Sequence, residues 1–223
     1  LLNAFSLNQS ALSLFDEFIV STPVLKNQLQ KVLKSTFNKS CEIHVIPNTP
    51  SSFWMSYADV IFEQSFKEKK RVVNTSLLGY FGGTASHSKD FQLVHQWIQD
   101  FLTSDSKNQF IYCKVAFNQL FSASLSNQVK SFAPVTYNKL PAIYNLSWLN
   151  IAPLSASPFN QCKSGLKYFE SALFGLPVCA THLPDIHHRF EGYPLLFTLD
   201  SYESILHAHD ESKILHGNFR KYL

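Results

Sequence analysis

Short apolar runs alternate with amphipathic stretches along most of this chain, and polar residues separate them. The apolar runs are short and rich in branched and aromatic residues, so they predict buried β-strands. The predicted strands are FIVST, EIHVIPN, SLLGYF, QFIYCKVA, NIAPL, LPVCA and PLLFTL. In the stretches between them, apolar residues recur at spacings of three and four, which predicts helices. The predicted helices are ALSLFDEF, one beginning at Pro23, KDFQLVHQWIQDFL, part of NKLPAIYNLSWL, KSGLKYFESALF and one beginning near DSYESILHAH.

Local signals predict the ends and the inward faces of several helices. Thr22 is a candidate N-cap before Pro23, because proline is favoured at the first position of a helix. Gly175 stands where a left-handed C-cap belongs. The spacing of apolar residues predicts two inward faces, one made of Phe91, Val94, Ile98, Phe101 and Leu102, the other of Leu166, Phe169 and Leu173.

Alternation of strands and helices with short polar joints is typical of parallel βαβ units. The predicted fold class is therefore α/β, a Rossmann-like parallel sheet with helices on both faces and right-handed crossovers. Ligands of such sheets bind beyond the carboxyl ends of the strands, near the point where the strand order reverses. The loops that follow SLLGYF, NIAPL and LPVCA are therefore the candidate binding loops.

The composition of the chain indicates a globular protein and argues against nucleic-acid binding and a metal site. The chain has 223 residues, of which 45% are hydrophobic and 16% charged, as expected for a folded globular protein. Its formal net charge is +3 with scattered basic residues, which argues against nucleic-acid binding. The four cysteines form no C-x-x-C pair, so we expect reduced thiols in the cytoplasm and no metal site.

Neither a membrane span nor a signal peptide is predicted. No apolar run approaches the ~20 residues that a membrane helix needs, and the first residues lack a basic segment and a cleavage pattern. Because the sequence does not begin with Met, we expect it to be a fragment of a longer protein.

A glycine pair, Gly82-Gly83, follows the predicted strand SLLGYF and precedes a predicted helix. Glycine lets a backbone approach a ligand closely, and amides at a helix N-terminus suit a phosphate. Thr84 adds a hydroxyl donor, and His87 in the same loop either donates to an anion or caps the next helix. The spacing matches neither G-x-G-x-x-G nor a Walker A loop. An ordinary strand-to-helix turn is the alternative.

A second group of polar residues lies near the start of KSGLKYFESALF. Lys163 can act as a point charge for a diphosphate, with Ser164 beside it. Lys167 and Glu170 follow at spacings of three, so they are neighbours on one helical face. A carboxylate close to a diphosphate suggests a neutral partner such as ribose hydroxyls, which indicates a nucleoside diphosphate. The alternative is a surface salt bridge between Lys167 and Glu170, which would contribute little to stability.

Two segments together, GYFGGTASHSKDF and LSWLNIAPLSASPFNQCKSGLKYFESALFGLPVCA, resemble the C-terminal, donor-binding domain of GT-B glycosyltransferases. The most similar branch is the bacterial group 1 (retaining) family, which builds surface polysaccharides such as capsule and lipopolysaccharide. The match covers about residues 76–182. The domains implied are the end of an N-terminal domain and crossover at 1–50, a linker at 51–75 and the donor-binding domain at 76–223.

The resemblance implies that the chain transfers a sugar from a nucleoside diphosphate sugar to a glycan or lipid-linked acceptor, without a cofactor or metal ion. Lys163 and Glu170 would be the catalytic residues, holding phosphate and ribose respectively. The other donor-binding residues would be Gly82, Gly83, Thr84, His87, Asn160, Ser164 and Lys167. The nucleobase would lie near Val115, Ala116 and the segment FAPVTY. Many retaining members have a glutamate eight positions before Glu170, where this chain has Cys162.

Other interpretations of the sequence remain open. The chain could be a non-catalytic nucleotide-binding or scaffold module. A flavodoxin-like or epimerase-like domain is less consistent with the missing G-x-G-x-x-G pattern. If the resemblance holds, the expected location is the cytoplasm, at the inner face of the membrane, and the fragment would be inactive without its N-terminal domain.

Overall fold

The structure is a computed structural model that describes residues 11–67, 76–82, 87–113, 121–190 and 195–217. Its strands are β1 (Glu17–Val20), β2 (Glu42–Val45), β3 (Leu77–Tyr80), β4 (Gln109–Cys113), β5 (Val129–Phe132), β6 (Leu149–Ala152), β7 (Val178–Ala180) and β8 (Leu196–Thr198). Its α-helices are α1 (Pro23–Phe37), α2 (Ser52–Lys67), α3 (Ser88–Gln92), α4 (His95–Ser104), α5 (Leu140–Tyr144), α6 (Pro158–Gln161), α7 (Leu166–Ala172), α8 (Pro184–Phe190) and α9 (Tyr202–Gly217). No helix within the described ranges is long and apolar enough to cross a membrane.

The chain divides into two compact units. The smaller unit consists of Leu1–Thr49, Ala156–Gly165 and Leu183–Glu191. The larger unit consists of Pro50–Ser155, Leu166–His182 and Gly192–Leu223. Helix α2 belongs to the larger unit and lies within the range 51–75 that the resemblance implies to be a linker.

In the smaller unit, β1 and β2 pair in parallel, with Glu17 opposite Glu42. Helix α1 begins as predicted: the Leu25 amide donates to the Thr22 hydroxyl at 3.1 Å, and Pro23 takes the first position. The predicted helix over 11–18 is wrong beyond Leu12, because β1 starts at Glu17.

The larger unit contains a six-stranded sheet in the order β5-β4-β3-β6-β7-β8, and all of its pairs are parallel. The chain builds outward from β3 to β5, then returns to the other side of β3 as β6. This is the Rossmann-like order, with its switch point between β3 and β6. The predicted fold class is confirmed.

Helices cover both faces of this sheet. Consecutive residues of β3 point to opposite faces, so Leu78 packs with α4 and α9 whereas Leu77 packs with α2 and α5. Trp54 of α2 and Ile98 of α4 are completely buried on their respective sides. The sheet therefore lies between two apolar layers.

The first predicted inward face is confirmed, although the helix that carries it is split. Its five residues are each at most 1% exposed. The predicted single helix is two helices, α3 and α4, because the chain makes a tight turn at Leu93 and Val94. The Val94 amide donates to the Phe91 carbonyl, three residues back, which interrupts the regular α-helical pattern.

The second predicted inward face is confirmed at Leu173, which packs against the core that contains Trp54, and is wrong at its other two positions. Helix α7 buries Tyr168, Glu170 and Ser171, whereas Leu166 and Phe169 are only partly buried. Its polar residues turn inward because buried side chains of the sheet and α5 offer them hydrogen bonds. Gly175 has the predicted left-handed conformation, with φ of 60°. The Leu176 amide then donates to the Ser171 carbonyl at 3.1 Å, which closes the helix end.

Candidate functional site

The carboxyl ends of β3 and β6 flank the switch point, so the segments that follow them form the first candidate binding region. Gly82 follows β3 and is needed for packing: a Cβ there would lie 2.6 Å from the hydroxyl oxygen of Tyr80, whose side chain is buried. Gly83 and Thr84 lie outside the described residues. Whether Gly82-Gly83 forms a phosphate-binding loop or an ordinary turn must therefore be judged from the described residues beside it.

Asp90, at the start of α3, connects the segments that follow the two strands. Its carboxylate is 3% exposed and accepts from the Ser155 amide and the Ser155 hydroxyl, both at 2.8 Å. The His87 Nδ1 atom lies 3.1 Å from the other carboxylate oxygen. We call these three residues the Asp90 cluster. Burial and, secondarily, the charge of Asp90 raise the pKa of Tyr80.

His87 does not cap α3 through its side chain. It occupies the N-cap position, yet its ring pairs with Asp90 instead of with a backbone amide of the helix. The cap interpretation is therefore confirmed in position but not in a side-chain bond, and the ligand interpretation stays a prediction. Asp90 and Ser155 were not among the site residues predicted from the sequence. The available signal was an H-x-x-D spacing directly after a glycine loop.

Glu170 lies in a second buried arrangement, the Glu170 cluster, with Tyr144 and Lys167. The residue is 1% exposed, and its Oε2 atom accepts from the Tyr144 hydroxyl at 2.7 Å and from the Lys167 ammonium at 2.9 Å. The Lys167 ammonium also lies 3.1 Å from the Tyr144 hydroxyl oxygen. The ion pair that was the alternative interpretation therefore exists, but its carboxylate is buried instead of exposed at the surface. Burial first, and then the charge and hydrogen bond of Glu170, raise the pKa of Tyr144.

Helix α7 is tied to β6 by a chain of buried hydrogen bonds. The Ser147 hydroxyl donates to Asn150 Oδ1 at 2.6 Å, and Asn150 Nδ2 donates to the Ser171 hydroxyl at 2.9 Å. The Ser171 hydroxyl then donates to the Lys167 carbonyl at 3.0 Å. These bonds orient the Glu170 cluster, and the apolar pattern of the sequence did not reveal them.

The segment predicted to lie near a nucleobase contains an aromatic stack. Tyr137 is 41% exposed, and its ring lies 4.9 Å from that of the fully buried Trp54, between centroids. Val115 and Ala116 lie outside the described residues. Tyr137 is the more exposed of the two aromatic residues in this segment, the other being Phe132, so it suits stacking against a base.

In the smaller unit, Lys163 lies in a turn, residues 162–165, that we call the Lys163 turn. The Thr22 hydroxyl donates to the Cys162 carbonyl at 2.9 Å, and Asn48 Nδ2 donates to the Ser164 hydroxyl at 2.8 Å. The Gly165 amide donates to the buried carboxylate of Asp185 at 2.8 Å. Three segments of the unit therefore hold this turn, two of them through its backbone and one through the Ser164 side chain.

The side chains beside the turn are also ordered by contacts. The Lys163 ammonium lies 5.3 Å from the ring centroid of Phe159, which is 75% exposed. Asn160 is buried, and its backbone amide donates to the Ser157 hydroxyl at 3.1 Å. A Cβ at Gly165 would lie 2.6 Å from Ile186, so only glycine allows this close approach to α8.

The predicted site residues are thus distributed over both units. The larger unit holds Gly82, His87, Lys167 and Glu170, and the smaller unit holds Asn160, Lys163 and Ser164. Their roles in binding and catalysis remain predictions. Among the described residues, no three His, Cys, Asp or Glu side chains are grouped so that they could hold a metal ion.

Solved structures share this architecture. Sucrose-phosphate synthase from Thermosynechococcus elongatus is 14% identical, with a TM-score of 0.58 over 96% of this chain and 55% of that chain. A UDP-forming α,α-trehalose-phosphate synthase from Burkholderia xenovorans, in complex with glucose-6-phosphate, is 10% identical, with a TM-score of 0.60 over 93% and 57%. The pneumococcal O-GlcNAc transferase GtfA, in complex with UDP and GlcNAc, is 17% identical, with a TM-score of 0.58 over 98% and 42%.

The chain has the GT-B fold. Its parallel six-stranded sheet corresponds to the C-terminal domain of that fold, as the resemblance implied. The chain spans about half the length of the structures it matches. No protein-family model matches the sequence, and no curated protein matches it significantly.

Proposed function

We propose that this chain is the donor-binding half of a glycosyltransferase that uses a nucleoside diphosphate sugar. The observation that carries the proposal is the GT-B fold with polar clusters beside its strands, above all the Asp90 cluster at the switch point. Solved structures of this fold include a transferase in complex with UDP and GlcNAc and a UDP-forming synthase.

In the proposed reaction, the oxygen of an acceptor hydroxyl bonds to the anomeric carbon of the donor sugar as the bond from that carbon to the diphosphate breaks, and the hydroxyl proton is released to solvent. The electron pair of the broken bond leaves with the diphosphate. Backbone amides of Gly82, Gly83 and Thr84, together with Lys163 and the Ser164 hydroxyl, stabilise the negative charge that develops there. No metal ion or cofactor is part of the proposal.

Glu170 is proposed to bind the ribose. Both of its hydrogen bonds within the described residues go to Oε2, so Oε1 is the atom proposed to accept from ribose hydroxyls. Because Glu170 is 1% exposed, the proposal requires neighbouring side chains to move when the ribose binds. Tyr144 and Lys167 hold the carboxylate in one orientation, so little rotamer freedom is lost on binding. His87 and Asn160 are proposed to complete the donor site.

Finer aspects of the proposal follow from the family resemblance. The acceptor would be a glycan or a lipid-linked glycan in bacterial surface polysaccharide synthesis, and the protein would act in the cytoplasm at the inner face of the membrane. A non-catalytic nucleotide-binding module is the second candidate. The residue that favours it is Cys162, which occupies the position of the first glutamate of many retaining members.

Calorimetry with UDP, GDP and dTDP tests the proposal. We expect one nucleotide to bind and Lys163→Ala to raise its dissociation constant by roughly 10-fold, since one charge-assisted contact is lost. Lys31→Ala, on an exposed position of α1, is the matched control and should leave the constant unchanged. Absence of binding by all three nucleotides would contradict the proposed function, and an unchanged constant in Lys163→Ala would remove Lys163 from it.

A further inference from the structure

In the part of the chain that the structure describes, the buried carboxylate of Asp90 accepts from three groups, on Ser155 and His87. Ser155 takes one oxygen through its amide and its hydroxyl, and His87 takes the other oxygen through Nδ1. A buried carboxylate is costly unless it is hydrogen-bonded, and these contacts satisfy it. Asp90 therefore joins the segments that follow β3 and β6, on either side of the switch point.

The pairing with Asp90 determines which nitrogen of His87 carries hydrogen. An ionised carboxylate only accepts hydrogen bonds, so the neutral ring must have its proton on Nδ1. The Nε2 atom then has no hydrogen-bond partner among the described residues, and the side chain is 26% exposed. The outward atom is thus an acceptor in the neutral ring and a donor once the ring is protonated, with Asp90 as its counter-charge.

We propose that Asp90 is a positioning residue that holds His87 in the Nδ1–H form, with Nε2 directed to the nucleotide-sugar donor. Asp90 also keeps the loops after β3 and β6 together. This inference rests on the proposed function, in which His87 is one of the residues that bind the nucleotide-sugar donor. Asp90 itself does not touch the substrate. It acts through His87 and through the backbone of Ser155.

Among the described residues, His87 bonds to the carboxylate and Tyr80 of β3 is close enough to respond to its charge. Tyr80 responds to the charge of Asp90, since that charge contributes to the raised pKa of its hydroxyl. Ser155 contacts Asp90 through groups that do not titrate. A change in the protonated nitrogen of His87 therefore reports on the carboxylate of Asp90.

The first experiment is an NMR measurement of the His87 ring form in the 223-residue chain, labelled with 15N-histidine, at pH 8. Long-range proton–nitrogen correlations distinguish Nδ1–H from Nε2–H, and His87→Gln assigns the signals. We expect Nδ1–H in the original chain. In Asp90→Asn, the new amide group faces Nδ1 as a donor, so the ring should change to Nε2–H. Finding Nε2–H in the original chain overturns the proposal, whether or not the variant folds.

The second experiment measures UDP affinity by calorimetry. Asp90→Asn should weaken binding on the order of 10-fold, because the His87 ring loses the orientation and the counter-charge that the Asp90 carboxylate provides, whereas the Asn oxygen still accepts from Ser155. Ser155→Ala keeps the amide bond to Asp90 and should keep the Nδ1–H form. Glu42→Gln is the matched control, since Glu42 pairs with His44 at 3.6 Å on the exposed surface of the smaller unit. It should leave UDP affinity unchanged.

The outcomes separate this inference from the proposed function. If the chain binds UDP and Asp90→Asn changes neither the ring form nor the affinity, the positioning role is overturned and the proposed function stands. If the chain binds no nucleotide although His87 is in the Nδ1–H form, the proposed function fails, and the role of Asp90 in donor binding fails with it. A changed ring form together with weakened UDP binding supports both.

Discussion

At the scale of single residues, the most informative side chains are acids and thiols in buried positions. Glu170 and Asp90 are both nearly inaccessible, and each has donors that satisfy its carboxylate. Buried carboxylates are rare without such partners, so their networks indicate places where geometry is specified closely. The hydroxyl of Tyr144 and the thiol of Cys179 allow two tests at this scale.

Removing the Tyr144 hydroxyl should destabilise the larger unit. Tyr144→Phe leaves the buried carboxylate of Glu170 with one donor fewer, which costs roughly 1–3 kcal/mol. Urea unfolding followed by circular dichroism measures the change. Tyr57→Phe is the matched control, because Tyr57 packs against Phe174 through its ring, and a change below about 0.5 kcal/mol is expected there. Equal stability of both variants would contradict the role of the Glu170 cluster.

Alkaline pH should weaken the fold through Cys179. Burial is the main cause that raises the pKa of this thiol to about 12. A hydrogen bond with Ser204 lowers the pKa by less, and the charge of Asp200 raises it slightly. A group whose pKa is raised on folding contributes its full stability below its unfolded pKa, near 9, and loses it as pH rises toward 12. At pH 10.5 the loss should be about 2 kcal/mol.

Urea unfolding between pH 8 and 10.5 measures this loss, and Cys179→Ala is the comparison. The variant should lose less stability over that interval than the original chain. Tyr80 and Tyr144, whose pKa values are also raised, contribute equally in both proteins and cancel. Identical pH profiles of the two proteins would refute the assignment to Cys179.

At the scale of elements, the sequence predicted the ends of helices more reliably than it predicted which helix face is buried. The Thr22 cap and the left-handed Gly175 depend on a few adjacent residues, and both were predictable. The face of α7 depends on what lies opposite it. There, Asn150 of β6 offers a hydrogen bond to Ser171, and this partner lies 21 residues away in sequence.

Thr22 has two functions at the start of α1, which makes a sharp test. Its hydroxyl accepts from the Leu25 amide and donates to the Cys162 carbonyl, so Thr22→Val loses both bonds without a change of shape. We expect a loss of roughly 1–2 kcal/mol in the free energy of unfolding. Thr36→Val, at an exposed position near the end of the same helix, is the control and should change little.

Thr22→Val should also weaken nucleotide binding severalfold if the Lys163 turn holds a phosphate. The Cys162 carbonyl lies directly before Lys163, so its release loosens the backbone of that turn. Calorimetry on Thr22→Val and Thr36→Val with the same nucleotide makes the comparison. Equal affinity in the two variants would show that the turn does not need this bond.

At the scale of the whole molecule, the order of the strands determines where a ligand can bind. The chain returns from β5 to the opposite side of β3, and this return creates the switch point between β3 and β6. The loops at their carboxyl ends come together there although Gly82 and Ser155 are far apart in sequence. The Asp90 cluster is the direct consequence of this topology.

The chain by itself should bind a nucleoside diphosphate and transfer no sugar. The solved structures of this fold are about twice its length, and we propose that the remaining half supplies the acceptor site. A radiolabelled donor assay on the 223-residue chain, run beside calorimetry, measures both properties. Sugar transfer by the chain alone would contradict this division of roles.

Several features of the fold and the site could be predicted from the sequence for a common reason. The strands, the cap at Thr22 and the buried stripe that includes Ile98 all follow from residues close together along the chain. The pairing of Lys167 with Glu170 was predictable as well, since three positions bring side chains together on a helix. The burial of that pair was not, because Tyr144 reaches Glu170 from another helix, 26 positions earlier.

Strand β5 and helix α2 were missed because their patterns are weak. The sequence VKSF shows neither alternation nor a continuous apolar run, and two of its four residues are exposed in the structure. It becomes a strand because β4 offers an open edge of hydrogen-bonding groups, with Phe110 opposite Val129. Helix α2 buries Trp54 and Ala58, while many of its other side chains face solvent.

The sequence by itself determined the class of fold, the helix-end signals and a set of polar residues concentrated in loops. Those depend on periodicity and on nearest neighbours, which short-range sterics and hydrogen bonding control. Only the tertiary structure decided that Asp90 meets Ser155 and that Glu170 is buried with Tyr144. Such contacts join residues far apart in the chain, and they exist because sheet order and helix packing bring distant segments to one place.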